Sequence, residues 1–168
     1  CVRPKVISIK KDPEPKINLS VSNVCAAEGN FEIKVDIATA GIAPYYLSVN
    51  SAALEETTFP YTLTSKNSGD YSITVQDTNG CTDTQTKTIF KPLSVSSKVV
   101  QLPSCYISDG KFDVFVTGGS GSFEYKLNSG SFSTLSNFTG LAPGSYAVEV
   151  KDLVTNCTKS ISVKLEAA

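Results

Sequence analysis

Three observations predict an all-β chain built from two tandem antiparallel β-sandwich modules. Apolar and polar residues alternate through most of the sequence, with β-branched and aromatic side chains in the apolar positions, as in half-buried strands. No segment has the length and apolar spacing of a crossover helix, so a parallel sheet is not expected. The chain also repeats itself: Cys1 to Cys25 and Cys81 to Cys105 are each 24 positions, while Cys25 to Cys81 is 56 and Cys105 to Cys157 is 52. Between the cysteines, Gly41-Ile42-Ala43-Pro44-Tyr45-Tyr46-Leu47-Ser48-Val49-Asn50 returns as Gly119-Ser120-Gly121-Ser122-Phe123-Glu124-Tyr125-Lys126-Leu127-Asn128, an offset of 78. Gly69-Asp70-Tyr71-Ser72-Ile73-Thr74-Val75-Gln76-Asp77 returns as Gly144-Ser145-Tyr146-Ala147-Val148-Glu149-Val150-Lys151-Asp152, an offset of 75. The drop from 78 to 75 is a short loop deletion, and indels confined to loops mark arrayed modules.

In the first copy the alternation places strands near 17–24, 30–39, 44–50, 58–64, 69–77 and 82–90, with Phe31, Ile33, Val35 and Ile37 sharing one face of the second. Ser51 to Glu56 is the one segment expected to form a short helical turn. In the second copy the strands fall near 93–101, 111–117, 122–128, 132–135, 144–152 and 158–165, and Phe112, Val114 and Val116 repeat the buried face. Asp77-Thr78-Asn79-Gly80 supplies a tight hairpin turn, since Asn-Gly tolerates positive φ. Its counterpart, Asp152-Leu153-Val154-Thr155-Asn156, is one residue longer and lacks the glycine, so a longer or bulged turn is expected. Gly118-Gly119-Ser120-Gly121 resembles a phosphate loop only in its glycines; no Lys-Ser follows, and it reads as a strand-to-strand turn. Short strands punctuated by turns every 8 to 12 residues or so make each module Ig-like.

The prolines of Asp12-Pro13-Glu14-Pro15 and Lys91-Pro92 fix φ and remove donors, so they mark short, stiff joints between modules standing end to end. The expected organisation is a tail of a preceding copy over 1–12, one repeat over 13–91 and another over 92–168. Cys1 with the residues after it matches the strands that follow Cys81 and Cys157, so Cys1 belongs to that preceding copy and is unpaired by truncation. The chain has no Met, and it reads as a segment of a longer exported protein.

Charge is balanced, with 15 basic and 16 acidic residues, which gives no footprint for nucleic acid and no basic amphipathic stretch for a membrane surface. No apolar run approaches the roughly 20 residues of a membrane-spanning helix, so membrane insertion is not expected. The absence of His and Trp removes the usual general base, the usual zinc nitrogen ligand and the strongest sugar-stacking platform. The carboxylates are scattered over turns and strand faces, and cysteines in an exported chain are oxidised structure rather than nucleophiles. The chain is therefore expected not to be an enzyme, to carry no cofactor and to have no metal-dependent chemistry.

One disulfide per module, Cys25–Cys81 and Cys105–Cys157, would each close a loop contributing on the order of 3 to 4 kcal/mol in the chain-entropy model. That register is the expected one; the other, Cys1–Cys25 and Cys81–Cys105, also leaves one cysteine unpaired, and sequence does not exclude it. In a regular sandwich the first and last hairpin turns lie at opposite ends, so the expected within-module pairing requires at least one cysteine to sit inside a strand or on an irregular crossing. Asp77 and Asn79, with Asp83 nearby, resemble the start of an oxygen-ligand loop and are the candidate calcium residues. The plainer account is that Asp and Asn bond to backbone in turns. Tyr45, Tyr46 and Tyr125 are candidate glycan contacts, whereas Tyr71 and Tyr146 open a core strand and fit a hydroxyl-capped core. Asn18, Asn137 and Asn156 sit in Asn-x-Ser/Thr sequences, which match the eukaryotic glycosylation pattern and are given no role.

Gly41, Pro44 and Tyr45, then Gly69, Tyr71, Val75, Asp77, Asn79, Gly80, Cys81, Thr82 and Pro92, form a pattern that resembles the SprB repeat of large cell-surface adhesins of gliding Bacteroidetes. Gly119, Phe123, Gly144, Tyr146, Val150, Asp152, Asn156, Cys157 and Thr158 carry it less fully, with Ser122 in place of the proline. PKD and other bacterial Ig-like modules share the Gly-x-Tyr strand. The resemblance implies stalk or spacer repeats of an adhesin for surface attachment and gliding, exported by type IX secretion to the cell surface. Its implied partners are neighbouring repeats, surface polysaccharide and the gliding or secretion machinery. A carbohydrate-binding module and an accessory domain of a secreted hydrolase are the alternative readings.

Overall fold

The computed structural model describes residues 12–105 and 107–168, and Cys1 lies outside them. Among the described residues there is no helix; the chain forms thirteen strands in antiparallel sheets and adopts the Ig-like β-sandwich fold that the alternation predicts.

The first copy supplies β1 (Lys16–Ser22), β2 (Phe31–Thr39), β3 (Tyr45–Val49), β4 (Glu55–Thr57), β5 (Tyr61–Lys66), β6 (Gly69–Asp77) and β7 (Thr82–Ile89). They form one sheet in the order β1-β2-β5 and another in the order β4-β3-β6-β7. The period of two decides which residues go inside: Phe31, Ile33 and Val35 are wholly buried on β2 while Lys34 between them is exposed. Leu47, Leu63, Ile73, Val75 and Ile89 are the buried residues of the later strands.

The second copy supplies β8 (Ser94–Gln101), β9 (Gly110–Thr117), β10 (Phe123–Leu127), β11 (Asn137–Leu141), β12 (Gly144–Asp152) and β13 (Thr158–Leu165). Its sheets run β11-β9-β8 and β10-β12-β13. Phe112, Val114, Tyr125, Val148, Val150, Val163 and Leu165 make its core, with Phe138 and Tyr146 packed on the Phe112 ring at centroid distances of 5.2 and 6.1 Å.

Two local expectations are corrected. Ser51–Glu56 makes no helical turn: Asn50 and Ser51 both take positive φ, a hairpin conformation that sends the chain back alongside β3 as β4. The segment 132–135 is not a strand; only Ser133 bridges to Tyr125, and the strand that covers β9 is β11, five residues further on. Pattern alone misplaced it because Asn137–Leu141 contains a glycine and few apolar residues.

The chain clusters into two compact units. One gathers the described residues up to Ser22 with Glu32–Ser65 and Asp70–Thr88; the other gathers Asn23–Phe31 and Lys66–Gly69 with the described residues of Ile89–Ala168. Within the second unit Glu28 accepts from the Ser68 amide at 2.8 Å and from its hydroxyl, so the 23–31 and 66–69 segments are tied together.

Candidate functional site

Each copy carries a buried aspartate at the end of its central hairpin. Asp77, 2 % exposed, ends β6; Asp152, 0 % exposed, ends β12. A carboxylate taken out of water needs donors for its oxygens, and the turn supplies them. Asp77 Oδ1 accepts from the amides of Asn79 (3.0 Å) and Cys81 (2.9 Å), and its Oδ2 accepts from the Ile42 amide at 3.2 Å. Asp152 Oδ1 accepts from the Val154 and Thr155 amides and the Ser120 hydroxyl, and Oδ2 from the Ser120 amide. Burial pushes the Asp152 carboxyl up, but these donors outweigh it and hold it below the ordinary carboxylate value.

The carboxylate reaches the neighbouring loop because a glycine leaves room. A Cβ on Gly41 would stand 2.7 Å from Asp77 Oδ2, and one on Gly119 would stand 2.6 Å from Asp152 Oδ2. The recurrence of Gly41 as Gly119 and of Asp77 as Asp152 thus marks one device, a clasp between the β2–β3 loop and the β6–β7 turn, rebuilt between the β9–β10 loop and the β12–β13 turn. Sequence reading singled out both aspartates but not this pairing with glycine. The signal was available in their joint recurrence.

A second repeated fastening uses Asn50 and Asn128. Each takes positive φ, donates its own amide to the facing strand (Ser72 O and Ala147 O) and accepts that residue's amide on its side-chain oxygen. Tyr146 donates its hydroxyl to Ala142 O at 2.7 Å, the tyrosine-corner contact of Ig-like sandwiches.

The cysteines do not pair by copy. Cys25, in the β1–β2 loop, is bonded to Cys157, at the foot of β13, with Cα atoms 5.4 Å apart, while Cys81 and Cys105 are free thiols. This corrects the expected bonds Cys25–Cys81 and Cys105–Cys157, and Cys81–Cys105 of the other register. Cys25 precedes the start of β2, whereas Cys81 lies by the Asp77 clasp that meets the chain just after β2 ends. Nine strand residues separate those ends, on the order of 30 Å, and a disulfide spans less than about 7 Å between Cα atoms. Beside the bond lies a depression of 330 Å³ lined by Val24, Ala27, Pro92, Leu93, Gly119 and Lys159 among others.

The candidate calcium residues face three different jobs. Asp77 is taken up by three amide donors, those of Asn79, Cys81 and Ile42. Asn79 donates its side-chain amide to Asp12, and Asp83, 8 % exposed, accepts from the Ile17 amide and pairs with Lys16 at 3.1 Å. Burial raises the Asp83 carboxyl, yet the Ile17, Lys16 and Gln85 donors bring it below its ordinary value. Among the described residues no three of His, Cys, Asp and Glu gather as a metal site.

The candidate glycan tyrosines form no common platform. Tyr125, 9 % exposed, is part of the core, and its burial raises its hydroxyl pKa. Tyr45 donates to Gly41 O and meets Phe59 edge-on at 5.7 Å, in a shallow depression of 460 Å³ that Pro44 and Glu56 also line. Tyr46, its neighbour on β3, points to the other face of the sheet.

No family model matches the chain, and no curated protein does. Among solved structures, the C-terminal 282-residue fragment of intimin, in complex with the intimin-binding domain of the translocated intimin receptor, is similar at a TM-score of 0.60 and 14% identity, over 90% of this chain and 64% of that one. The chain therefore spans less than two thirds of that fragment. An amphioxus IgVJ-C2 molecule (TM-score 0.43, 11% identity, 84% of this chain and 98% of that one) and a Dscam isoform structure (0.44, 14%, 94% and 47%) also match. The intimin likeness is one of fold.

Proposed function

We propose that the chain is a pair of structural repeats from a long extracellular adhesin, serving as stalk or spacer for surface attachment and not as an enzyme. The observation that carries this is the rebuilding, in two successive sandwiches, of the same Gly–Asp clasp and the same Asn fastening. Selection for one local chemistry would leave a site in one copy, whereas selection for a repeated rigid bead leaves the scaffold in both. The disulfide fits an oxidising exterior. The likeness to the intimin fragment, itself solved with a receptor domain, agrees with an adhesive setting. Its finer form, following the SprB-repeat resemblance, is a gliding-motility adhesin carried to the cell surface by type IX secretion, with neighbouring repeats, surface polysaccharide or the gliding machinery as partners.

The test is antibody against residues 13–168 applied to intact source cells. Surface labelling, lost on brief protease treatment of whole cells together with attachment to a solid support, is the expected outcome. Labelling only after cell lysis, or attachment unchanged when the label has gone, would refute it.

A further inference from the structure

We propose that Cys81 and Cys105 are the open ends of a disulfide ladder running from repeat to repeat. The cysteine between the first two strands of each copy bonds the cysteine after the central hairpin of the following copy. The ladder rests on the array proposed above, and its partner is a further repeat of this kind.

Cys25 stands between β1 and β2 of the first copy, and Cys105 stands between β8 and β9 of the second. Cys157 follows the β12–β13 turn, and Cys81 follows the β6–β7 turn. The observed bond, Cys25–Cys157, takes one thiol of each kind from consecutive copies. Repeating that rule assigns Cys105 to the turn cysteine of a following copy and Cys81 to the loop cysteine of a preceding one. Pairing inside a copy is closed to both by the strand length that separates them.

The surroundings of Cys105 match those of Cys25 before a partner arrives. Pro92 comes eleven residues after Cys81, as Ala168 comes eleven after Cys157. Pro92 lines the depression beside the Cys25–Cys157 bond. Ala168 stands beside Cys105, its carbonyl accepting from the thiol at 3.4 Å and its amide donating to Pro103 O. Ala27, two residues after Cys25, lines that depression; Ile107, two residues after Cys105, is 58% exposed, and Leu102 nearby is 45% exposed. Cys81 is held ready by its own amide bond to Asp77.

With glutathione disulfide as oxidant, the Cys105 thiolate attacks one glutathione sulfur and releases one glutathione thiolate. The Cys81 thiolate of the next copy then attacks the Cys105 sulfur and releases the second. One protein disulfide forms, one glutathione disulfide is reduced, and the two thiol protons go to the two glutathiones.

The test is a head-to-tail fusion in which residues 13–168 follow Ala168, with Cys1→Ser throughout. In one version Cys81→Ser in the leading half and Cys105→Ser in the trailing half leave only the pair the ladder joins; in the other version the halves are exchanged. After treatment with glutathione disulfide, alkylation and peptide mapping by mass spectrometry, the first version is expected to show a Cys105–Cys81 linked peptide. The second is expected to form it less readily by on the order of a hundredfold, because its thiols lie at the two far ends. Equal bonding or equal alkylation in the two versions, with Cys25–Cys157 intact in both halves, overturns the ladder and leaves the array standing. Loss of Cys25–Cys157 itself, with Cys25 found on Cys81, overturns the ladder at its observed rung and likewise leaves the array standing.

Discussion

The two copies agree at one end of the sandwich and differ at the other. At the clasp, the first copy turns through Asn79-Gly80 and the second through the longer Leu153–Asn156 segment, yet in both the buried aspartate satisfies the turn amides and reaches the loop beside a glycine. At the hairpin after the third strand, both copies make the same first pairing, Leu47 with Glu55 and Tyr125 with Ser133. The first copy then continues as β4, while the second departs after that single bridge. The three-residue deletion falls beyond this bridge, on an edge strand whose loss leaves no buried donor unpaired. A buried charge with several amide partners fixes local geometry despite sequence change, and an edge hairpin does not.

The largest contrast is expected between equivalent cysteines. Cys157→Ser opens a bond of sequence separation 132 and should lower stability by about 5 kcal/mol in the chain-entropy picture, whereas Cys81→Ser should change urea unfolding by less than about 0.5 kcal/mol. Equal effects would show that the bond does not distinguish the copies.

Next come the clasps. Asp152→Ala strands the Ser120, Val154 and Thr155 amides and should cost about 3 kcal/mol in denaturant unfolding; Asp77→Ala strands three amides and should cost a similar amount. A cost below about 1 kcal/mol in either would mean that the clasp is dispensable in that copy.

The pH dependence follows from the direction of the shifts. Asp152 and Asp83 sit below their unfolded values, so they bind fewer protons folded than unfolded, and their stabilisation is complete above about pH 4 and lost as pH falls through the folded values. Unfolding measured from pH 7 to pH 2 should show a plateau above about pH 5 and a fall below about pH 4. Asp152→Asn and Asp83→Asn should each flatten that fall; an unchanged acid limb in both would remove these groups as its source.

The smallest effect belongs to a pair that only the second copy has. Lys126 pairs with Glu149 and lies 4.9 Å from the Phe132 ring, where the first copy has Ser48 and Thr74 at the matching positions. Glu149→Gln should cost about 0.5 kcal/mol and lose that effect in high salt, which thermal unfolding at two ionic strengths would measure.

Much of this was legible before any coordinates. Alternation gave β6 and β12 to the residue, since Ile73, Val75, Val148 and Val150 are apolar at period two between unmistakable turns. It missed β4 and misplaced β11, because Glu55–Thr57 and Asn137–Leu141 hold their places through pairing with β3 and β9 rather than through apolar periodicity. Tyr125 and Tyr45 carry the same aromatic chemistry, and only the packing put one in the core and left the other half-buried on a groove.

By itself the sequence determined the fold class, the tandem repetition and the strands whose side chains alternate, because burial at period two is a local property of the chain. Tertiary structure alone decided which cysteines meet and what the aspartates hold. Those outcomes depend on which loop ends stand within a few ångströms across the fold, a distance that spacing along the chain does not encode.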